Sequence, residues 1–106
     1  MIIGVGTDIV QNNRVKAQIA KRVLTDNEYR LYLEKHVDLQ NEFLASRFAA
    51  KEAIVKATNK QYTINDIEIL NEPDGKPYCA NIEGIELSIS HEQDYSVAFA
   101  IYQKKV

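Results

Sequence analysis

Apolar and polar residues alternate over the first ten positions. Ile3, Val5 and Thr7 fall on one side and Ile2, Gly4, Gly6 and Asp8 on the other, which predicts a strand over residues 2–10. The period then lengthens. Val15, Ile19 and Val23 recur at four-residue spacing behind Asn12-Asn13, a pair suited to capping, and predict a helix over 14–24. Thr25-Asp26-Asn27-Glu28 has the spacing of a capping box. It opens a second helix through Tyr29, Tyr32 and Leu33 to His36, a helix-end histidine where positive charge is favourable. The longest helix follows. Residues 47–57 contain neither Gly nor Pro and are rich in Ala, Lys and Glu, and the pattern extends back to an N-cap at Asp38 or Asn41. Helical geometry sets Phe48, Glu52 and Lys56 on one stripe. Leu44, Phe48 and Val55 form one apolar flank of it, and Phe43, Ala50, Ile54 and Ala57 the other. Beyond a polar connection at 59–63, alternation returns and predicts strands at 64–70, 78–82, 85–90 and 95–103. Glu72-Pro73-Asp74-Gly75-Lys76-Pro77 and Glu83-Gly84 supply the turns between them. A strand, three helices with a long central one, then an antiparallel meander is an α+β order.

Length and charge narrow the possibilities. The 106 residues suit one domain spanning 1–106, small enough that association would help hide apolar surface. A net charge of −2 argues against a broad nucleic-acid surface. No apolar run approaches the ~20 residues needed to span a bilayer, and Met1-Ile2-Ile3-Gly4 lacks a basic signal-peptide start, so a cytoplasmic protein without membrane contact is expected. Cys79, the only cysteine, excludes an internal disulfide and reads as a small buried apolar residue.

Three places carry candidate chemistry. Gly4 and Gly6 leave a bare patch where a backbone or ligand can approach, and Asp8 lies on that same face, where a carboxylate needs a cation or donors unless it caps a turn. Glu52 and Lys56 make either a surface ion pair, contributing about 0.2–0.5 kcal/mol, or part of a site. Ser88-Ile89-Ser90-His91 closes a strand. Two carboxylates from separate elements suit Mg²⁺, which takes one or two of them and completes its shell with water and phosphate oxygens. The histidines and the cysteine lack zinc-ligand spacing, no nucleophile elbow is present, and the Gly-x-Gly lacks the third glycine of a dinucleotide fingerprint. Arg14, Lys16, Lys21 and Arg22 make one segment basic, as a solvated helix face or as a docking surface for an acidic partner.

Taken in order, Val5-Gly6-Thr7-Asp8-Ile9-Val10 with Arg14, then Arg47-Phe48-Ala49-Ala50-Lys51-Glu52-Ala53 with Lys56-Ala57, resemble the two signature segments of the holo-acyl-carrier-protein synthases. Asp74-Gly75-Lys76-Pro77 and Ser88-Ile89-Ser90-His91 match a third segment, so the resemblance covers almost the whole chain. It implies the 4′-phosphopantetheinyl transferase fold. It also implies transfer of phosphopantetheine from coenzyme A to a serine of apo acyl carrier protein, releasing 3′,5′-ADP, with Mg²⁺, in fatty acid biosynthesis. Members of this short type form homotrimers with active sites at the subunit interfaces. Carried over residue by residue, Asp8 and Glu52 would hold Mg²⁺, and Asp8, Glu52 and Lys56 form the catalytic group. Arg47, Lys56, Ser90 and His91 would bind coenzyme A, with His91 reaching in from a neighbouring subunit. Arg14, Lys21 and Arg22 would dock the carrier protein, and Glu52 or a water on the ion would accept the serine proton. The chain departs from the family after the central helix, where a Gly-Thr-Gly-like loop is replaced by the shorter Thr58-Asn59-Lys60-Gln61-Tyr62-Thr63. There a Lys60 contact substitutes for backbone amides, or coenzyme A is held more weakly. The alternatives are a non-catalytic binding module for coenzyme A or a carrier protein, and a magnesium-dependent phosphodiesterase that uses water in place of serine.

Overall fold

The computed structural model describes residues 1–104. Strand β1 (Ile2–Gln11) leads through two 3₁₀ turns, Asn12–Arg14 and Ala17–Ile19, into the one-turn helix α1 (Ala20–Val23). Helices α2 (Asp26–Glu34) and α3 (Val37–Ala57) follow. A third 3₁₀ turn (Ile64–Asp66) precedes β2 (Ile69–Asn71), β3 (Pro77–Cys79), β4 (Ile85–His91) and β5 (Tyr95–Gln103). Strand β5 is the centre of an antiparallel sheet ordered β1-β5-β4, while β2 and β3 form a separate hairpin. The α+β order is therefore as expected from the pattern.

Helix α3 organises the core. It lies across one face of the sheet, against β1 and β5. The bare patch on β1 is filled by the helix backbone. A Cβ on Gly4 would fall 1.8 Å from the Ala57 carbonyl oxygen, and one on Gly6 would fall 2.0 Å from that of Ala53. Ala49, Ala50, Ala53 and Ala57 keep the helix thin, and all four are buried. On another side, Leu44, Arg47, Lys51, Ile54 and Thr58 recur at three- and four-residue spacing and are also buried, so two cations stand in an otherwise core-like stripe.

One of those cations closes the core. Lys51 Nζ lies 2.5 Å from Glu28 Oε1, with side-chain exposures of 1% and 0%. Lys51 also donates to the Val23 carbonyl at 2.7 Å, and the Ile69 N–H donates to Glu28 Oε2 at 2.8 Å. Glu28 completes the expected capping box as well: the Thr25 N–H donates to Oε1 at 2.8 Å and the Glu28 N–H to Thr25 Oγ1 at 3.2 Å. The Glu28–Lys51 pair thus ties α1, α2, α3 and β2 together. Burial pulls the Lys51 ammonium below its ordinary range, while Glu28 holds it up.

Several boundaries differ from the pattern, each for a local reason. The helix expected over 14–24 is broken, because Asn12 caps nothing. Its side chain is buried, donating to the Glu92 and Gln93 carbonyls and accepting from Ser96 Oγ at 2.7 Å, and the chain runs extended at Val15 and Lys16. Val15 and Val23 still bury, without a continuous helix between them. His36 does not end α2. It is the N-cap of α3, its Nδ1 accepting the Asp38 N–H at 3.3 Å, so the helix starts before Asp38 or Asn41. The strand expected over 64–70 is replaced at its start by a 3₁₀ turn, in which the Thr63 N–H donates to Asp66 Oδ2 at 2.9 Å. Strand β3 stops at Cys79 instead of reaching 82, and the meander is divided into two sheets.

Replacing Glu28 by Gln leaves a buried lysine without its counter-charge, which costs about 3 kcal/mol at neutral pH. The Lys51 value then falls further below the unfolded one, so the unfolded chain binds more protons and stability rises as pH rises between the two. Urea unfolding of Glu28→Gln and wild type at pH 7 and pH 9.5 should show the deficit shrinking at the higher pH.

Candidate active site

Gly4 meets Ala57 and Gly6 meets Ala53, so β1 and α3 run in opposite directions at their contact. By the same register Asp8, the next helix-facing strand position, falls level with the turn holding Ala49 and Glu52. Lys56 closes the group from one turn further along. Its Nζ donates to Asp8 Oδ1 at 3.1 Å and to the Thr7 carbonyl at 2.9 Å. Asp8 is not a turn cap: it sits within β1, paired with Ala98, with 17% of its side chain exposed. Lys56 is 54% exposed and free to follow a ligand. Among the described residues no cluster of three or more His, Cys, Asp and Glu side chains could hold a metal ion. Asp8 and Glu52 could supply at most two ligands of a coordination shell, hard and anionic. That donor set fits Mg²⁺, whose remaining positions go to water and phosphate oxygens.

The other half of α3 borders a cleft of about 760 Å³, walled by Glu42, Phe43 and Arg47 of α3, Lys35, Asn71 of β2 and His91 of β4. Arg47 is 4% exposed and stacks on the Phe43 ring, 4.4 Å from its centroid. Its Nη2 donates to Asn71 Oδ1, and its buried Nε has no hydrogen-bond partner among the described residues. Burial pulls the guanidinium below its ordinary value to about 10, opposed by Glu28, so it stays cationic at neutral pH. His91 Nδ1 lies 2.5 Å from Glu42 Oε1. A guanidinium and an imidazole, each held by a partner on another element, give the cleft a wall suited to an anionic ligand.

The expected site residues thus fall into separate groups. Asp8, Glu52 and Lys56 gather on one side of α3, and Arg47 and His91 on another. At ~100° per residue, Glu52 and Lys56 lie about 140° and 180° around the helix from Arg47. Ser90 joins neither group, since it is exposed on the outer face of the sheet beside Val97. Arg14, Lys21 and Arg22 are exposed on the segment leading into α2, which has no acidic residue between Asp8 and Asp26. Lys21 Nζ lies 5.5 Å from the Tyr29 ring centroid. Asn71, Glu42 and the Glu28–Lys51 pair were not anticipated. A signal existed for two of them: Lys51 occupies a core-spaced position, and Glu42 shares the helix side of Phe43 and Arg47. Asn71 closes the short strand β2 and carries none. Cys79, expected to be buried, is only half-buried at the end of β3, and that burial pushes its thiol up.

The loop after α3 has its own geometry. The Lys60 N–H donates to the Val55 carbonyl and the Asn59 N–H to that of Lys56, a Schellman closure with Asn59 at the left-handed position, φ 52°. Lys60 follows at φ 64°, a conformation that favours glycine. Two non-glycine residues therefore take up backbone conformations that glycine would adopt without strain.

Residues 4–100 match the family described as the 4′-phosphopantetheinyl transferase superfamily. The holo-[acyl-carrier-protein] synthase of Geobacillus sp. (strain WCH70) is 38% identical, with 98% of each chain covered. That of Bacillus subtilis (strain 168) is 36% identical, again covering 98% of each. A crystal structure of a holo-(acyl-carrier-protein) synthase from Bacillus anthracis str. Ames in complex with CoA (3′,5′-ADP) superposes with a TM-score of 0.92 at 35% identity, covering 99% of both chains. The two sequence alignments run over 117 and 118 positions, so these relatives carry residues that the 106-residue chain lacks.

Relieving the left-handed lysine should show in stability. Lys60→Gly is expected to raise Tm by about 2–4 °C, the net of strain removed and entropy lost in the unfolded chain. A thermal melt that is unchanged or lower would mean that the Lys60 backbone is not strained.

Proposed function

The chain belongs to the 4′-phosphopantetheinyl transferase superfamily, among its holo-[acyl-carrier-protein] synthases, and on that premise we propose how its residues divide the reaction. The whole chain acts as one catalytic unit. It passes 4′-phosphopantetheine from coenzyme A to a serine hydroxyl of apo acyl carrier protein, in the cytoplasm and in the service of fatty acid biosynthesis. The observation that carries the assignment is the convergence of Asp8 and Lys56 across the Gly4–Gly6 contact, with Glu52 one turn away. Asp8 and Glu52 are the residues that would hold Mg²⁺, which when bound neutralises charge on the phosphates. Lys56, released from Asp8, contacts the same phosphates and stabilises the leaving group. The serine oxygen forms a bond to the phosphorus next to pantetheine as the bond to the bridging oxygen breaks, and 3′,5′-ADP departs with that electron pair. Glu52 or adjacent water takes the serine proton. Arg47 and His91 hold the nucleotide end in the cleft, and Arg14, Lys21 and Arg22 dock the acidic carrier.

Two observations favour a homotrimer with shared sites. The catalytic group and the cleft lie on opposite sides of α3, so one extended coenzyme A reaches both more directly if two subunits contribute. The sheet face away from α3 is also apolar and open. Val5 and Ile9 of β1 and Val97 and Phe99 of β5 form adjoining rows on it, with exposures from 37% to 64%. A face of this kind calls for a partner. In a trimer, Ser90 on that face would approach a neighbour's site, and His91 would serve the catalytic group of another subunit.

Mixing the protein with apo acyl carrier protein, coenzyme A and Mg²⁺ should add one phosphopantetheine to the carrier mass, and EDTA should abolish the gain. Glu52→Ala should lower the transfer rate by at least about 10²-fold with the assembly intact. Coenzyme A binding without mass gain would favour a binding module, and coenzyme A hydrolysis without carrier a phosphodiesterase. Separately, Phe99→Glu places a charge in the open sheet face. Light scattering should show the trimer replaced by monomer, with transfer lost together with assembly. A Phe99→Glu monomer that retains full activity would overturn the shared site.

A further inference from the structure

The cleft contains a carboxylate where an anionic ligand is expected, and that apparent conflict has a physical resolution. Glu42 and Arg47 both line the cleft from α3, and His91 faces them from the end of β4. Glu42 Oε1 lies 2.5 Å from His91 Nδ1, so carboxylate and imidazole are in direct polar contact. Among the described residues that carboxylate is the one polar partner of the imidazole, which steadies the ring and leaves Nε2 for another partner. The strand end is anchored from the other side as well. Asn12, buried, donates to the Glu92 and Gln93 carbonyls immediately after His91 and accepts from Ser96, which pairs with His91 across β4 and β5. The ring therefore has a fixed backbone beneath it and a carboxylate holding one edge.

We propose that Glu42 is a positioning residue for the nucleotide end of the substrate, acting through His91: by accepting from Nδ1–H of the imidazolium it presents the second N–H, at Nε2, as a donor to a phosphate of that end. This rests on the assignment of His91 to the nucleotide cleft made above. The alternative consequence of the same geometry is the opposite one, in which Glu42 repels the phosphate and its removal tightens binding. Charge alone does not separate the two, but the dependence on His91 does. A carboxylate that works through the imidazole loses its effect when the imidazole is gone, whereas one that acts directly on the ligand does not. Both side chains are partly exposed, 48% for His91 and 30% for Glu42, so the effect belongs to the modest range of surface pairs.

The test is a double-mutant cycle on the full chain with 3′,5′-ADP as the probe, read by titration calorimetry, together with KM and kcat for coenzyme A. Glu42→Gln should weaken 3′,5′-ADP by about two- to fivefold and raise the coenzyme A KM to match, with kcat unchanged. In a His91→Ala background the same substitution should have no effect. Tighter binding in Glu42→Gln, an unchanged affinity, or the same loss with and without His91 would each overturn the proposal. A purely structural role would lower Tm and kcat together without this dependence on His91, and would overturn it too. If His91→Ala itself leaves 3′,5′-ADP affinity and KM unaltered, the nucleotide assignment of His91 fails, a result distinguishable from failure of the Glu42 role alone.

Discussion

The contact between β1 and α3 is the constraint from which the rest of the structure follows. It is a contact of backbone on backbone, since neither Gly4 nor Gly6 has room for a single additional carbon. Such closeness shortens the distance that polar side chains must cover. Asp8, two residues beyond Gly6, is then within reach of Lys56, one turn beyond Glu52. With larger residues at positions 4 and 6 the helix would stand further off. The carboxylate on the strand would lose both its cation and its place beside Glu52. The glycines thus do chemical work by having no side chain: they set the separation at which an ion and two phosphates could be gripped between two elements.

A helix held so tightly on one side must still be fixed in rotation, and the Glu28–Lys51 pair supplies that. Helix rotation would carry Lys51 away from a carboxylate that also takes the Thr25 and Ile69 N–H groups, leaving buried charges and donors unpaired. The penalty for breaking such a pair is far larger than its net contribution to stability, so the pair selects one rotation more than it stabilises the fold. That selection matters along the whole helix. Lys51 lies between Arg47, which faces the cleft, and Glu52, one turn from the Lys56 that meets Asp8, and Arg47, Lys51, Glu52 and Lys56 are all carried by one helix. Glu28 also acts electrostatically on Arg47, helping to keep the buried guanidinium charged.

The sequence made legible those features that depend on local chemistry. The Thr25–Glu28 capping box, the long helix, the Asp74-Gly75 turn and the closing strand are each set by a few neighbouring residues, and they stand where the pattern places them. The bare face of β1 was visible too, although not what would fill it. What escaped were side chains diverted to distant partners. Asn12 has the composition of a cap but is drawn into the β4–β5 turn, and the helix it should have opened is broken as a result. Glu28 satisfies its local motif and a long-range ion pair at once, and only the first is written in its neighbourhood. His36 sits where one helix ends and the next begins, so position alone did not decide which it serves. Of the candidate site, the placing of Asp8 on the helix-facing side of a strand and of Glu52 and Lys56 on one helix stripe was legible as spacing. The opposition of Arg47 and His91 to them was not, because it depends on which way the helix is turned against its neighbours.

That opposition bears on why so small a protein would tie catalysis to assembly. A 106-residue chain has little interior to spare, and α3 takes the largest share of it of any single element. A cleft that also enclosed the catalytic group within one chain would need further elements to wrap around the helix. With the two on opposite sides and an apolar sheet face open nearby, the proposed association would supply the missing wall. The same apolar surface that a monomer would expose at some risk would then bring one subunit's cations to another's carboxylates. On this view the outer rows of β1 and β5 belong to the active site as much as Asp8 does, although none of their side chains carries chemistry.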